Sequence, residues 1–248
     1  MTAPGDLVAA PRPPPVGTAT MIHRWEDMTF LHWRYEPESI SPHLPPGLEV
    51  ETFDDSAWVS LLPFRMRIRF PRVPLGWITF PETNVRTYVT GPDGGRGIYF
   101  LSLEAGSASA VATARATLSL PYMWADMSLR RDGDAARYRS ARRMPGPRGA
   151  GHHIEVRWGD PIGTDRLPAL DDFLVNRFRL YTWTFGRLVR VEAQHEPWSL
   201  RRAEVVRLQQ DLIQADGLPA PHGDPVAHAS EGVEVRIGLP HAVEGART

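Results

Sequence analysis

Four polar side chains alternate along one short segment of the sequence: Glu82, Asn84, Arg86 and Tyr88. Successive side chains of a β-strand point to opposite faces, so a strand at this position would carry all four on one face. A guanidinium binds a carboxylate bidentately, and a carboxyl or a phenol can move or donate a proton. The segment therefore predicts a wall of a ligand site. The alternative is the solvated face of an antiparallel strand, whose ion pairs contribute little.

A second candidate is Arg115, which lies in a stretch of small apolar residues predicted to be helical. A guanidinium in such surroundings needs a partner. Glu104 or Glu82 would be a structural partner, whereas a substrate carboxylate would be a functional one. The pattern leaves both interpretations open, because strongly interacting ion pairs serve both purposes.

The histidines do not have the spacing of a metal site. His153 and Glu155 would share one strand face, but His152 would point away from them, and no HExxH pattern occurs. No G-x-S-x-G sequence marks a hydrolase nucleophile either. We therefore expect neither a metal nor a cofactor.

The composition excludes several kinds of chemistry. All 28 basic residues are arginine, and the chain contains neither lysine nor cysteine. No side-chain amine can form a Schiff base, no Walker lysine can bind phosphates, and no thiolate can act as nucleophile or zinc ligand. Any carbonyl chemistry must therefore proceed without a side-chain imine.

The charge and hydropathy of the chain point to a small-molecule ligand. The net charge is −1, so no overall field attracts nucleic acid or an anionic membrane. No stretch approaches the roughly 20 apolar residues that a membrane span needs, and the first residues lack the apolar core of a signal peptide. We expect a cytoplasmic protein that binds neither nucleic acid nor membrane. The oligomeric state stays open, a homo-oligomer included.

The patterning predicts one β-rich α+β domain over residues 20–240. A Pro-rich segment, 1–19, is expected to be disordered, and 241–248 to be a flexible C-terminus. Helical patterns occur at 108–118, 170–178 and 201–215, giving about three flanking helices. Period-two alternation and turn signals predict a mostly antiparallel sheet from strands at 57–70, 82–90, 97–104, 123–131, 135–143, 152–158, 179–195 with a turn at Gly186, and 231–237.

A series of motifs occurs in a fixed order along the chain: His32-Trp33, Leu44-Pro45-Pro46-Gly47-Leu48, Ala57-Trp58-Val59, Pro63-Phe64, Glu82-x-Asn84-x-Arg86-x-Tyr88-Val89, Gly97-x-Tyr99-Phe100-x-Ser102-Leu103, Ala114-Arg115, Leu120-Pro121-Tyr122 and His195-x-Pro197-Trp198. Together they resemble the bacterial YqjF-like family, domain of unknown function 2071, from about Trp25 to Val235. That family is similar to the acetoacetate decarboxylase superfamily, which implies a closed, cone-like β-barrel flanked by a few helices.

The resemblance also implies a site. Tyr122 would occupy the position of the decarboxylase lysine, and Glu82 would match a pocket glutamate. Without the amine, Schiff-base decarboxylation cannot run, so the resemblance supports a pocket and not that reaction. An interior pocket would use Arg86 or Arg115 to bind an anion, with Asn84 beside them.

Two functions fit this pocket. One is acid–base catalysis on a small carboxylate or carbonyl metabolite by a hydratase, dehydratase, cyclase or isomerase, a tailoring step in secondary metabolism among them. Glu82 would move the proton, and Tyr122 or Tyr88 would donate to an enolate oxygen. The other is a non-catalytic barrel that binds or senses a small molecule, so whether the protein is an enzyme stays open.

Overall fold

The computed structural model describes residues 3–74 and 76–244. The strands in this part of the chain are β1 (Leu7–Ala9), β2 (Met21–Tyr35), β3 (Glu49–Val50), β4 (Ala57–Arg69), β5 (Ile78–Thr90), β6 (Arg96–Ala105), β7 (Tyr122–Asp132), β8 (Ala135–Met144), β9 (Gly151–Gly163), β10 (Arg166–Pro168), β11 (Arg179–Thr184), β12 (Arg187–His195), β13 (Leu200–Gln210) and β14 (Val226–Ala242). The α-helices are α1 (Pro37–Ile40), α2 (Ala108–Leu118), α3 (Ala169–Val175) and α4 (Leu212–Ala215).

One large sheet of twelve strands closes on itself twice. Hydrogen bonds between β12 and β14 complete a first ring, made of β14, β2, β4, β5, β6, β11 and β12. Hydrogen bonds between β5 and β6 complete a second ring, which runs from β6 through β7, β8, β9 and β13 back to β14, β2, β4 and β5. Among the strand pairs of the described residues, only β6–β11 and β6–β7 are parallel. The prediction of a β-rich, mostly antiparallel closed sheet with a few helices is confirmed.

The two rings have five strands in common: β14, β2, β4, β5 and β6, called the shared wall below. Its side chains alternate between two interiors, as the period of a strand requires. On β4, Leu62 and Phe64 pack toward the first ring, while Val59 and Leu61 pack into a separate core cluster inside the second. On β5, Val85 belongs to that second cluster. The opposite face of β5 is therefore left to line the interior of the first ring.

One predicted helix is wrong. Residues 201–215 form β13 and then only the short helix α4. Val205 and Leu208 read as part of a helical stripe, but β13 pairs with β9 along most of its length, with register shifts at several points. Those irregularities break strict period-two alternation, which is why the apolar positions imitate a helix. The other two predicted helices, 108–118 and 170–178, correspond to α2 and, ending earlier, to α3.

The chain termini differ in part from the prediction. Within the segment expected to be disordered, β1 pairs with β10, and Val16 is buried. Near the other end, β14 continues to Ala242, and Val243 is buried against Leu188. The predicted disorder at residues 1–2 and the predicted flexibility at 245–248 lie outside the described residues. None of the helices in the described chain has the length and apolar character needed to cross a bilayer.

Candidate functional site

A cavity lies inside the first ring and encloses about 870 Å³, its opening to solvent included. Most of its wall is apolar, and much of it comes from β2, β4, β5 and β6. The ionisable and amide side chains that line it are Glu82, Asn84, Arg86, Tyr122, Arg177, Arg179, His23 and His195. Three of the four polar residues predicted on β5 thus share one cavity.

Glu82 and Tyr122 form a hydrogen-bonded pair in this cavity. The Tyr122 hydroxyl donates to Glu82 Oε2 at 3.1 Å, and both side chains are buried. Burial raises the pKa of Glu82 to about 8, although the hydrogen bond from Tyr122 opposes this, and burial raises the pKa of Tyr122 well above 10. Both groups are therefore protonated at neutral pH, and the Glu82 carboxyl can donate a hydrogen bond or a proton.

The chain segment between β6 and β7 places Tyr122. Ser107 caps α2 by accepting from the Ala110 amide, and the helix ends at Ser119, whose φ of 52° reverses the chain. The chain then returns parallel to β6, so that Tyr122 lies beside Leu103. This crossover brings the Tyr122 hydroxyl on β7 to the carboxyl group of Glu82, which lies on β5.

Arg86 is a buried cation without a carboxylate partner. Its side chain is 6 % exposed, and its Nη2 donates to the Leu174 carbonyl at 3.0 Å. Its Nε has no hydrogen-bond partner, and it forms no ion pair within the described chain. The guanidinium carbon also lies 5.6 Å from the centroid of the Tyr88 ring, but a carbonyl dipole and an aromatic face do not replace a counter-charge, so the buried cation is unfavourable unless an anion approaches it. Arg86 is therefore suited to receive an anionic ligand.

Arg177 and His195 add polar groups that the sequence analysis did not assign to the site. Arg177 donates from Nε to the Phe173 carbonyl and pairs through Nη1 with Glu51, while its buried Nη2 has no partner among the described residues. Burial lowers its pKa to about 10, so it stays cationic at neutral pH. The cavity thus has a second arginine with a nitrogen free to donate.

His195 is held as a neutral imidazole. Its Nδ1 lies 2.7 Å from the Glu196 carbonyl, which can only accept, so Nδ1 carries the proton. Burial lowers its pKa, the backbone groups of Glu196 and Arg177 oppose this, and the charge of Arg86 acts in the same direction as burial. Its Nε2 is then an acceptor, buried and without a partner among the described residues. A neutral imidazole of this kind can take a proton from a ligand.

Asn84 lies between Glu82 and Arg86 on β5, and its buried Oδ1 has no partner in the described structure. Cross-strand register places Leu62 and Leu103 on its two sides. The Asn84 amide oxygen is therefore a hydrogen-bond acceptor left free by the described residues, between two apolar side chains of the cavity.

Tyr88 differs from the prediction, because it is fully buried but does not line the cavity. Its hydroxyl is 2.6 Å from Ser60 Oγ and 3.2 Å from His32 Nδ1, and it donates to the Leu174 carbonyl at 2.7 Å. That carbonyl also binds Arg86. Tyr88 thus contacts the acceptor that holds Arg86 and would not touch a ligand.

Arg115 also lies outside the cavity. It is exposed on α2, and its Nη1 donates to the Tyr122 carbonyl at 2.8 Å. The two carboxylates considered as its partners are engaged elsewhere, Glu104 by Arg142 and Glu82 by Tyr122. The small residues around Arg115 suggested burial, but α2 presents this position to solvent.

The described residues contain no group of three His, Asp or Glu side chains arranged to hold a metal ion. His153 contacts Glu155 at 3.0 Å, whereas His152 points the other way and contacts Thr83 Oγ1 at 2.8 Å. The two histidines therefore diverge, as strand alternation requires.

The fold is shared with acetoacetate decarboxylase-like proteins. The enduracididine biosynthesis enzyme MppR, solved in complex with pyruvate, superposes with a TM-score of 0.66 at 16% identity and covers 91% of each chain. An acetoacetate decarboxylase-like enzyme from Sphingomonas wittichii RW1 superposes with a TM-score of 0.61 at 15% identity, covering 92% of this chain and 94% of its own. Acetoacetate decarboxylase from Legionella pneumophila gives a TM-score of 0.61 at 13% identity, over 93% and 92% of the two chains.

The sequence comparisons show the family. The model of domain of unknown function 2071 (DUF2071), described as an uncharacterized conserved protein, matches residues 23–234. The uncharacterized protein YqjF of Bacillus subtilis (strain 168) is 36% identical over 224 residues, which are 89% of this chain and 91% of that protein. The chain belongs to the DUF2071, YqjF-like family.

Proposed function

We propose that the protein is an enzyme that carries out acid–base chemistry next to the carbonyl group of a carboxylate metabolite. Arg86 and Arg177 bind the carboxylate, and the Glu82–Tyr122 pair donates to the carbonyl oxygen as an enolate develops. His195 Nε2 takes the proton from the adjacent carbon. Such a site would serve a hydratase, dehydratase, cyclase or isomerase.

The observation that carries this proposal is the state of Arg86. It is buried, it lines the cavity, and it has no carboxylate partner in the described chain. A ligand carboxylate would supply the missing counter-charge and the acceptor for Nε. Pyruvate bound to MppR, a neighbour in fold alone, supports the choice of a carboxylate.

The protonation states support opposite roles for two groups of the cavity. Burial raises the pKa of the Glu82 carboxyl and lowers the pKa of the His195 imidazole. At neutral pH the carboxyl therefore holds a proton and the imidazole lacks one. Environments that push two pKa values apart in this way are typical of general acid and general base pairs.

The proposal excludes a covalent imine. No lysine is present, and Tyr122, which the family resemblance places at the position of the decarboxylase lysine, can donate a hydrogen bond but cannot form an imine. Borohydride treatment in the presence of acetoacetate should therefore leave the protein mass unchanged. A stable adduct mapped to the described part of the chain would contradict this step.

Hydrogen exchange at the carbon beside the carbonyl tests the function directly. We expect the protein to catalyse deuterium incorporation into one or more acids of a panel that includes pyruvate, acetoacetate and α-ketooctanoate, followed by NMR. Arg86→Met, Glu82→Gln and His195→Gln should each abolish the exchange. Arg130→Met is the matched control, because Arg130 is an exposed residue of β7.

The result also separates catalysis from simple binding. If acids bind in an Arg86-dependent way and no member of the panel exchanges, the protein is instead a ligand-binding or sensing module that uses the same cavity. If exchange persists in Arg86→Met, the assigned anion site is wrong.

A further inference from the structure

The reactive groups of the cavity lie at two levels along β5. Glu82 is paired across the sheet with Phe64 and Ala105, whereas Arg86 is paired with Ser60 and Phe100. Four residues of a strand span roughly 13 Å between Cα atoms. Glu82 and Arg86 therefore start from different levels of the wall, although both side chains line the same cavity.

The space between these levels is apolar. Leu62 and Leu103 flank Asn84 on the neighbouring strands, and Met28, Val175 and Trp198, which also line the cavity, belong to the same core cluster as these leucines. Apart from the Asn84 amide and the indole N–H of Trp198, which has no partner among the described residues, these side chains offer a ligand only hydrophobic contact. A ligand with a polar body, such as a sugar, would lose its hydrogen bonds with water and gain few in return.

The number of apolar residues around the cavity points in the same direction. Seventeen of its 25 lining residues are apolar, among them Ile98, Leu180 and Val191. Pyruvate or acetoacetate on Arg86 would leave most of the apolar wall uncovered. Each apolar group that covers the wall would instead add binding free energy.

We propose that the ligand is an amphipathic acid, with a carboxylate bound by Arg86 and Arg177 and an apolar chain or ring that lies along the cavity wall. This inference rests on the proposed function, because it takes the same carboxylate site. It specifies the substrate class, since a small keto acid would satisfy the proposed function equally well.

A homologous series of straight-chain carboxylates measures the apolar part by itself. Acetate, hexanoate, octanoate and decanoate are titrated into the protein by calorimetry below their micellar concentrations. Each added methylene should tighten binding roughly fourfold until the cavity is filled. Octanol, which has the chain without the charge, should bind far more weakly than octanoate.

Two variants separate the chain from the carboxylate. Ala193 lines the cavity, so Ala193→Phe should reduce the gain from hexanoate to decanoate, and Ala193→Ser should leave it unchanged. Arg86→Met should weaken all members of the series by a similar factor and leave the gain per methylene intact.

Each outcome has a distinct meaning. If acids bind through Arg86 with no gain per methylene, the amphipathic ligand is overturned and the proposed function stands. If a gain per methylene is insensitive to Ala193→Phe, the chain binds elsewhere, and the inference is again overturned. If no acid binds to the folded wild-type protein, or if Arg86→Met changes nothing, the carboxylate site fails, and the proposed function fails with it.

Discussion

A buried arginine lies at each face of the shared wall, but only one of the two has a carboxylate partner in the described chain. On the second-ring face, Glu104 of β6 accepts at Oε1 from Nε and Nη2 of Arg142, a residue of β8, at 2.9 and 2.6 Å, and Arg142 Nη2 also contacts Asp216 Oδ1 at 3.2 Å. Ser102 donates to the other oxygen of Asp216. On the first-ring face, Arg86 contacts a carbonyl and no carboxylate in the described chain.

This difference distinguishes an arginine that stabilises the fold from an arginine that is available to a ligand. The Arg142 cluster contains its own counter-charges, so its cation is compensated without a ligand. Arg86 lines a cavity without such compensation, and Arg177, which pairs with Glu51, adds a buried nitrogen that has no partner in the described chain. Burial alone does not distinguish the two arginines, since both side chains are nearly inaccessible. The presence of a carboxylate partner does.

The largest effect is expected on the second-ring face. Arg142→Met leaves Glu104 and Asp216 buried without their cation, which should reduce the free energy of unfolding by about 3–5 kcal/mol. Urea denaturation measures this. Arg143→Met is the control, because the neighbouring Arg143 pairs with Asp126 near the surface and should change stability by less than about 1 kcal/mol.

Arg86→Met should weaken ligand binding without lowering the stability of the fold. It removes a buried charge that has no carboxylate partner in the described chain, so the free energy of unfolding should rise, by about 1–3 kcal/mol, while binding of a carboxylate ligand weakens by about 2–5 kcal/mol. Urea denaturation and calorimetric titration of the same sample give both values. A loss of stability equal to that of Arg142→Met would remove the distinction between the two faces.

Glu82 should make stability depend on pH in a defined direction. Its pKa is about 8 in the folded protein and near 4.5 in the unfolded chain, so the folded state retains a proton that the unfolded state loses. The stabilisation is fully present below pH 4.5 and is lost as the pH rises to 8, by on the order of 1.4 kcal/mol per pH unit. Relative to wild type, Glu82→Gln should therefore gain stability with rising pH across this window.

Thermal unfolding of wild type and Glu82→Gln at a series of pH values isolates this contribution. Subtracting the two curves removes the effect of buried neutral histidines such as His23, whose pKa is lowered to about 4 and which lowers stability only on the acid side. Parallel curves from pH 5 to pH 8 would mean that Glu82 is ionised in the folded protein.

The smallest effect on binding is expected from Tyr88→Phe. The change removes the hydroxyl that joins Ser60, His32 and the Leu174 carbonyl, which should lower stability by about 1–2 kcal/mol. Ligand affinity should fall only a few-fold, because Arg86 keeps its own bond to that carbonyl.

Tyr138→Phe provides the matched control for Tyr88→Phe. Its hydroxyl, buried elsewhere, contacts Thr29 Oγ1 and donates to the Asp27 carbonyl, so a similar loss of stability is expected. Tyr138 does not line the cavity, so ligand affinity should stay at the wild-type value. An equal loss of affinity in both variants would show that the effect is general destabilisation and not the positioning of Arg86.

The sequence predicted most of the sheet and one wall of the cavity. Alternation on β5 placed Glu82, Asn84 and Arg86 on one face, because the period of a strand is a local property. The same rule could not tell that Tyr88, on the same face, lies beyond the cavity. It also could not reveal Arg177 and His195, which reach the cavity only through the tertiary path of the chain after α3. The two closures of the sheet depend on pairings between strands far apart in sequence, for which no local pattern exists.

The shared wall has one more consequence, for how the chemistry of this protein is preserved. A shift of β5 by one residue would turn Thr83 and Val85 toward the cavity and would place the carboxyl group of Glu82 and the charge of Arg86 against the packed core of the second ring. That misfolded arrangement would be disfavoured by the cost of burying these polar groups in an apolar core. The register of β5 that packs the core is therefore also the register that places the reactive groups in the cavity. A molecule that has folded has also assembled its site.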